Sequence, residues 1–231
     1  MHNVKARRSA VIMMIIFMIG LGVSGQADAA IDVIPKVAEV TGNVEQLKII
    51  NRGHDVEYVS ISLSRLVNPG VPLEEERLEP ISDAERPALY AYPFRLTLAP
   101  GQTKSVSLQP LTVVGREMVY RLHVKPEVKL SSGVRRGIEG GVVVKLGFSI
   151  LIRQLPKEPQ KKISIECDSS GAKFIATGNV RYRVRGVKVE GKTRPDFNVY
   201  PGTPIHQGGQ SIQIPGFGAC EGKGQNKSST E

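Results

Sequence analysis

Short runs of aliphatic and β-branched residues recur along this chain, and turns containing glycine or proline separate them. Seven such runs occupy Ile31–Val40, Gln46–Asn51, Glu57–Leu66, Phe94–Leu98, Lys104–Leu108, Met118–Val124 and Val142–Ile152. No segment beyond residue 30 keeps a helical period for more than two turns. Short strands with frequent turns are typical of an antiparallel β-sandwich. The sequence therefore predicts an all-β chain with a first sandwich domain at residues 30–154.

A proline-rich, charged segment at residues 155–162 has no hydrophobic period and predicts a linker. Further strand-forming runs follow at Ile163–Cys167, Lys173–Ala176, Val180–Val189 and Ser211–Ile214. They predict a second, smaller β-domain at residues 163–221, which by its size would be only marginally stable alone. Residues 222–231 are polar and rich in glycine and lysine, which predicts a disordered tail.

The chain has two cysteines, Cys167 and Cys220, both in the predicted second domain. In an oxidising compartment two such residues are expected to form one disulfide, which would help to stabilise this small domain. The alternative is a pair of buried free thiols. A metal site is disfavoured, because no histidine or third cysteine lies close to either residue in the sequence.

The first 29 residues have the three parts of a secretory signal peptide. These are a basic start with Lys5, Arg7 and Arg8, an apolar run from Ala10 to Val23, and a small-residue cleavage site at Ala27-Asp28-Ala29. An uncleaved membrane anchor is the alternative, although the apolar run is short for a span. Cleavage would lower the formal charge from +9 to +7, because three basic residues leave together with Asp28. An exported basic protein is expected to meet acidic proteins or lipids, and not nucleic acid.

The sequence offers no candidate catalytic residue. His54, His123 and His206 lie in unrelated segments, and no nucleophile elbow, phosphate loop, dinucleotide fingerprint or zinc-protease helix is present. Ser170-Gly-Ala-Lys173 matches a Ser-x-x-Lys pattern, but its companion motifs are missing, and a turn that enters a strand is the simpler interpretation. We therefore expect a protein that is not an enzyme and that needs neither a metal nor another cofactor.

The run Val142–Ile152 is the longest apolar strand candidate. At a period of two, one face carries Val142, Val144, Leu146, Phe148, Ile150 and Ile152. A strand of this kind favours aggregation when its edge is free. It is therefore either a central strand of the sandwich or a strand that pairs with another chain. The residues alone leave both interpretations open.

Four motifs, in this order, resemble those of the periplasmic chaperones of pilus (fimbrial) subunits. They are Leu47-Lys-Ile-Ile-Asn51, Pro93-Phe-Arg-Leu-Thr-Leu-Ala-Pro-Gly-Gln102, Glu117-Met-Val-Tyr-Arg-Leu-His-Val124, and the run Val142–Ile152 followed by Arg153. The resemblance covers Ala30 to about Pro156 well and Ile163 to Cys220 loosely. Two features resemble the alternate class of these chaperones. One is the short second domain. The other is Arg153-Gln-Leu-Pro156, where the common form places proline directly after arginine.

The resemblance implies two immunoglobulin-like β-sandwich domains in tandem, located in the periplasm. Such a chaperone lends a strand to an incomplete pilus subunit and delivers the subunit to an outer-membrane usher, so pilus subunits and the usher are the expected partners. The donor strand would be Val142–Ile152, with Leu146, Phe148 and Ile150, or their phase partners, facing the subunit. A bulge would reverse that phase. Self-association of the free form would hide the strand.

The resemblance also implies that two basic residues anchor the C-terminal carboxylate of the subunit, one on the first strand and one on the donor strand. Lys36 is the first candidate, and Lys145 ranks above Arg153 for the second. The alternative for each is an exposed charge.

In the second domain Arg181, Arg183 and Arg185 share one strand face, which predicts a basic stripe. This stripe either contacts the subunit, the usher or anionic lipid, or is simply solvated.

The competing hypothesis is that the protein is itself a fimbrial structural subunit or adhesin. A subunit would carry an N-terminal donor extension and would lack one strand of its sandwich. The present sequence has a strand candidate directly from Ile31 and seven candidates in the first domain, which favours the chaperone.

Overall fold

The computed structural model describes residues 30–127 and 145–222. The predicted signal peptide, the donor residues Val142 and Val144, and the predicted tail from residue 223 onward lie outside these ranges. Among the described residues, no helix is long and apolar enough to cross a membrane.

The first domain is a sandwich of two sheets. Its strands are β1 (Ile31–Ile34), β2 (Val37–Val40), β3 (Glu45–Asn51), β4 (Glu57–Leu66), β5 (Leu78–Pro80), β6 (Leu89–Tyr92), β7 (Arg95–Leu98), β8 (Thr103–Pro110), β9 (Met118–Pro126) and β10 (Phe148–Gln154), with short 3₁₀ turns at Leu73–Glu75 and Ile81–Asp83. One sheet has the order β1-β3-β8-β6, and the other has the order β2-β10-β9-β4, with β5 and β7 both paired to β4.

The predicted first run is divided between the two sheets. β1 pairs with β3, whereas β2 pairs with β10 in the opposite sheet, and Pro35 lies between them. A proline cannot donate a ladder hydrogen bond, so it is suited to the point where a strand changes sheets. Lys36 therefore lies at a corner of the sandwich and not within a strand.

Alternate side chains from both sheets form the core of the first domain. Among the residues with no exposed surface are Ile31, Val33, Val40, Leu47, Ile49, Leu89, Leu98, Val106, Leu108, Tyr120, Leu122, Val124 and Ile152. Burial also raises the pKa of Tyr120 to about 12, and its hydroxyl donates to Gln154 Oε1 at 3.0 Å. This interior polar group is therefore satisfied without solvent.

Two polar residues from the recognised motifs hold turns of the sandwich. Asn51 is fully buried, and its Nδ2 donates to the carbonyl oxygens of Leu98 at 3.0 Å and Asp55 at 2.7 Å. Gln102 accepts from the backbone N–H of Ala99 through Oε1, at 3.0 Å. Loss of a buried group such as Asn51 costs about 1–3 kcal/mol, so this position acts on the fold.

The second domain consists of short strands around a separate core. They are β11 (Ile163–Asp168), β12 (Gly171–Ala176), β13 (Tyr182–Val184), β14 (Lys188–Val189), β15 (Lys192–Thr193), β16 (Phe197–Val199), β17 (Ile205–Gly208), β18 (Ser211–Ile214) and β19 (Gly218–Glu221). They form the sheets β11-β12-β17, β13-β16 and β15-β14-β18-β19. The predicted run Val180–Val189 is interrupted at Gly186, whose φ of 65° lies in the left-handed region that glycine adopts readily.

A disulfide joins Cys167 in β11 to Cys220 in β19, as predicted. The two residues are 53 positions apart, and a loop of that length corresponds to about 4 kcal/mol of stabilisation in the loop-entropy model. The core beneath it is small, and Phe174 and Ile212 are its largest fully buried side chains. The disulfide therefore supplies stability that a core of this size lacks. The prediction of an all-β chain is confirmed.

Candidate functional site

The strand β10 keeps one uninterrupted register. It pairs antiparallel with β9 from Phe148, opposite Val124, to Gln154, opposite Met118. A bulge would break this register and reverse the faces. Over the whole of β10, therefore, Phe148, Ile150 and Ile152 lie on one face, the face that the core occupies.

Burial along this face changes from one end of the strand to the other. Ile152 and Ile150 are 0% and 1% exposed and belong to the core of the domain, Phe148 packs partly against that core, and Leu146 is 53% exposed. Ile150 and Ile152 fill the core of their own sandwich in this structure, and their role in a donor strand stays a prediction. Leu146 and Phe148 are the described members of the predicted donor set that remain accessible.

The second edge of β10 is covered over only part of its length. β2 runs parallel to it and pairs Val37–Val40 with Leu151–Gln154. Within the described ranges, no strand pairs with this edge at Phe148, Ser149 or Ile150. The uncovered backbone groups can accept one further strand.

Lys36 lies at the corner where β2 begins, beside this open edge. Its Nζ is 3.9 Å from the centroid of the Phe148 ring and 2.5 Å from Asp32 Oδ1. Arg52 donates to the other oxygen of Asp32, from Nε at 3.1 Å and from Nη2 at 2.9 Å. One carboxylate is thus held between two cations, and the group of three carries a formal charge of +1.

The hydrogen bond from Lys36, with those from Arg52 and the backbone of Val33, lowers the pKa of Asp32 to about 2. Because this folded pKa lies below that of the unfolded chain, the ion pairs stabilise the fold above about pH 4 and lose their effect as the pH falls toward 2.

We expect Lys36→Ala to move the titration midpoint of Asp32 upward, toward the ordinary value of about 4. Carbon-detected NMR of the Asp32 carboxyl group measures this directly in the wild type and the variant. An unchanged midpoint would mean that Arg52 alone holds the carboxylate.

The two candidates for the second anchor are engaged elsewhere. Lys145 donates to Glu57 Oε2 at 2.7 Å, which makes a neutral pair. Arg153 is 6% exposed and is paired with both Glu117 and Glu39, so its group carries a formal charge of −1. The structure does not bring either residue into the group around Lys36. The second cation there is Arg52, which the sequence did not indicate, because only the pairing of β3 with β1 brings it beside Asp32.

Arg153 instead joins the two domains through Glu117. The Glu117 side chain is fully buried, and it accepts from Arg153 Nε at 2.5 Å and from the backbone N–H of Arg181 at 2.7 Å. Burial disfavours the charge of Arg153, but the hydrogen bond and charge of Glu117 outweigh it and raise the pKa of Arg153. Beside this pair, Leu151 packs against a small apolar cluster formed by Leu66, Val119 and Tyr200.

A serine, a histidine and an aspartate meet on the surface of the second domain, but their geometry is not catalytic. Ser170 Oγ donates to Asp168 Oδ1 at 2.6 Å and lies 3.2 Å from His206 Nε2, and that same nitrogen is 3.6 Å from Asp168 Oδ2. In a hydrolase triad the acid contacts the other ring nitrogen, which leaves this one free to receive the proton of the serine. Within the described residues there is also no group of three or more His, Cys, Asp or Glu side chains that could hold a metal.

Comparisons with known proteins place this geometry in context. No model of a protein family matches the chain. The present chain is 26% identical to a CS1 fimbrial subunit of Escherichia coli over 181 residues, which is 72% of this chain and 75% of that protein. It is 28% identical to a CFA/I fimbrial subunit of Escherichia coli over 152 residues, which is 63% of this chain and 62% of that protein.

Solved structures of fimbrial chaperones share the fold. The class 5 fimbriae chaperone CfaA superposes with a TM-score of 0.63 at 22% identity, over 80% of this chain and 90% of that chain. A chain of the chaperone–tip adhesin complex of CFA/I fimbriae gives 0.62 at 21%, over 80% and 94%. A chain of the CsuC–CsuE complex of Acinetobacter baumannii gives 0.54 at 13%, over 80% and 91%. The prediction of two immunoglobulin-like sandwich domains is confirmed, and this chain has the fold of the fimbrial chaperones.

Proposed function

We propose that this protein is a periplasmic chaperone that captures pilus subunits by donor-strand complementation and delivers them to an outer-membrane usher. The observation that carries the proposal is that the two ends of β10 have different surroundings. The end of β10 fills the core of its own domain, whereas its beginning has an open edge and leads back to the exposed Leu146.

A strand that a pilus subunit adds to this edge would be collinear with β2. Since β2 begins at Val37, opposite Leu151, the added strand would meet β2 beside Lys36. A strand parallel to β10 would bring its C-terminus to that point, and an antiparallel strand would bring its N-terminus. The positive charge of the Lys36 group favours the carboxylate, so the parallel direction is proposed.

Lys36 and Arg52 would receive that carboxylate together. The group of Lys36, Arg52 and Asp32 becomes neutral when one further carboxylate binds, and both cations already show that they can reach one. Charge-assisted hydrogen bonds of this kind are stronger than neutral ones. Neither the neutral pair of Lys145 nor the negative group of Arg153 offers the same attraction.

Apolar contacts would supply most of the affinity. We propose that Leu146 and Phe148, with the preceding Val142 and Val144, enter the hydrophobic groove of the subunit. Each side chain of this size contributes roughly 1.5–3 kcal/mol when it is fully buried. Binding and subunit folding then supply the driving force, and the mechanism requires neither a nucleotide nor a metal. The same edge would allow the free form to self-associate.

The alternative, a fimbrial structural subunit, is suggested by the names of the two curated relatives. A subunit that depends on a donated strand would lack one strand of its sandwich. Here β10 lies between β9 and β2 in its sheet, and its inner face completes the core. The chaperone is therefore the function that the geometry favours.

We expect Lys36→Ala to abolish subunit capture while the protein remains folded, because the loss affects a contact made only in the complex. The protein is produced in the periplasm with fimbrial subunits, purified, and assayed for captured subunits and for thermal melting. Lys104→Ala, in β8 of the opposite sheet, is the matched control and should capture normally. Normal capture by a folded Lys36→Ala protein would reject Lys36 as the anchor.

A further inference from the structure

A basic cleft of about 680 Å³ lies between the two domains, separate from the Lys36 group. Its first wall is the end of β2 and β10, and its second wall is the ribbon of β13 and β16 together with the linker. The charged residues that line it are Glu39, Arg153, Lys161, Arg181, Arg183 and Arg185.

The cations of this cleft exceed its anions. Asp196 is shared between Arg183, at 3.1 Å, and Arg185, at 3.8 Å. Arg181 donates to the neutral Tyr200 hydroxyl at 3.1 Å, and in the described part of the chain it has no carboxylate partner. Lys161 likewise makes no ion pair with any residue that the structure describes. Because Arg153 already has Glu39 and Glu117, the excess positive charge lies on the second domain and the linker.

The three arginines are spaced like the side chains of an extended peptide. Residues 181, 183 and 185 alternate along one face, while Val184 points into the core. Alternate residues of an extended chain are separated by roughly 6.6 Å, so a second extended chain carries its own alternate side chains at the same interval. A row of carboxylates at every second position would therefore face this row of guanidinium groups.

The floor of the cleft also has an unused hydrogen-bonding group. Asn198 lies opposite Arg183 in the β13–β16 pairing, and its buried Oδ1 has no hydrogen-bond partner among the described residues. A buried polar atom without a partner is costly, and a small movement of the cleft wall would let the N–H group of a ligand reach this one. A peptide brings such groups along its backbone.

We propose that this cleft binds an extended acidic segment of a protein partner, with carboxylates at alternate positions. The cleft is recessed between two domains, so a loop or strand reaches it more readily than the flat surface of a membrane. Glu39 follows Lys36 by three residues, roughly 10 Å along an extended strand. The added strand itself would end at Lys36, so a different loop of the same pilus subunit would be the segment that reaches the cleft. Because the partner named here is the pilus subunit, this inference rests on the proposed function.

Two labelled peptides of identical composition test the spacing. One alternates glutamate with serine and carries three glutamates, and the other has its three glutamates in succession. Fluorescence anisotropy with the full protein should show several-fold tighter binding of the alternating peptide. Arg181→Gln and Arg185→Gln should each weaken that binding about five-fold, as expected for an exposed pair worth about 1 kcal/mol. Lys188→Gln, on β14 and outside the cleft, is the matched control and should bind as the wild type does.

Equal binding of the two peptides, or equal losses in the control and the arginine variants, would overturn the proposal. The proposal would also be overturned if the protein bound neither peptide but did bind phosphatidylglycerol vesicles, and if the arginine variants lost this vesicle binding. Melting temperatures confirm that each variant is folded. Subunit capture is measured in parallel: no capture by the wild type would reject the chaperone function alone, whereas wild-type capture with no peptide preference would reject the cleft alone.

Discussion

Ile150→Asp should unfold the first domain, whereas Leu146→Asp should leave it folded and abolish subunit capture. Ile150 is 1% exposed within the core, and an unpaired carboxylate placed there costs several kcal/mol. That is a large part of the 5–15 kcal/mol by which a typical domain is stable. Leu146 is 53% exposed, so the same charge remains solvated in the free protein and becomes unfavourable only inside a subunit groove.

Thermal melting and subunit yield, measured together, separate these outcomes. Ser149→Asp introduces a charge at an exposed neighbouring position and controls for the effect of charge on the fold. A folded Ile150→Asp protein would contradict the register described for β10. A folded Leu146→Asp protein that still captures subunits would exclude Leu146 from the donor strand, and the open edge would then have to act through Phe148 and the residues before Leu146.

The periodicity of residues 142–152 predicted which side chains share a face, but it could not show where the core ends. That limit is set by the strands on either side. β9 runs the full length of β10, and β2 covers only its last four residues. The same alternation therefore continues from buried Ile152 to exposed Leu146, and only the neighbouring strands distinguish these two residues.

Strands in which apolar and polar residues alternate clearly were predicted well, and strands without this alternation were missed. β4 and β18 have the predicted bounds, since both are β-branched and bounded by turns. β5 was missed because its three residues are all exposed and end in proline. β16 was missed because it has only three residues, and β17 was missed because Ile205 is its only apolar residue, so neither strand shows a period of two.

The partners of charged residues could not be predicted, because they are distant in sequence. Lys145 meets Glu57 across 88 positions, and Arg153 meets Glu39 across 114. On sequence grounds Lys145 ranked above Arg153 only through the resemblance, because neither of these acidic partners could be seen in the sequence. Counting the carboxylates around each one in the fold leaves Lys36, with Arg52, as the group that carries excess positive charge.

Glu117→Ala should strongly destabilise the joint between the domains. The change leaves Arg153 buried with only the half-exposed Glu39 and removes the acceptor of the Arg181 N–H. Removing one partner from a buried ion pair typically costs about 3–5 kcal/mol, because the remaining charge is uncompensated. Glu79→Ala is the matched control, since it breaks the solvent-exposed pair with Arg65 at 3.1 Å, for which about 0–1 kcal/mol is expected.

Urea unfolding, monitored separately by the tyrosine signal and by protease cleavage within residues 155–162, should distinguish these effects. In the wild type the two signals should change together, because Glu117 ties the two domains across the junction. In Glu117→Ala the linker should become cleavable before the sandwiches unfold, and small-angle scattering should show a larger radius of gyration. Glu117→Gln should be less affected, since an amide oxygen still accepts from Arg181 although it no longer neutralises Arg153. Coincident transitions in Glu117→Ala, at the wild-type midpoint, would show that the apolar contacts of Leu151 and Tyr200 hold the domains together without this charge pair.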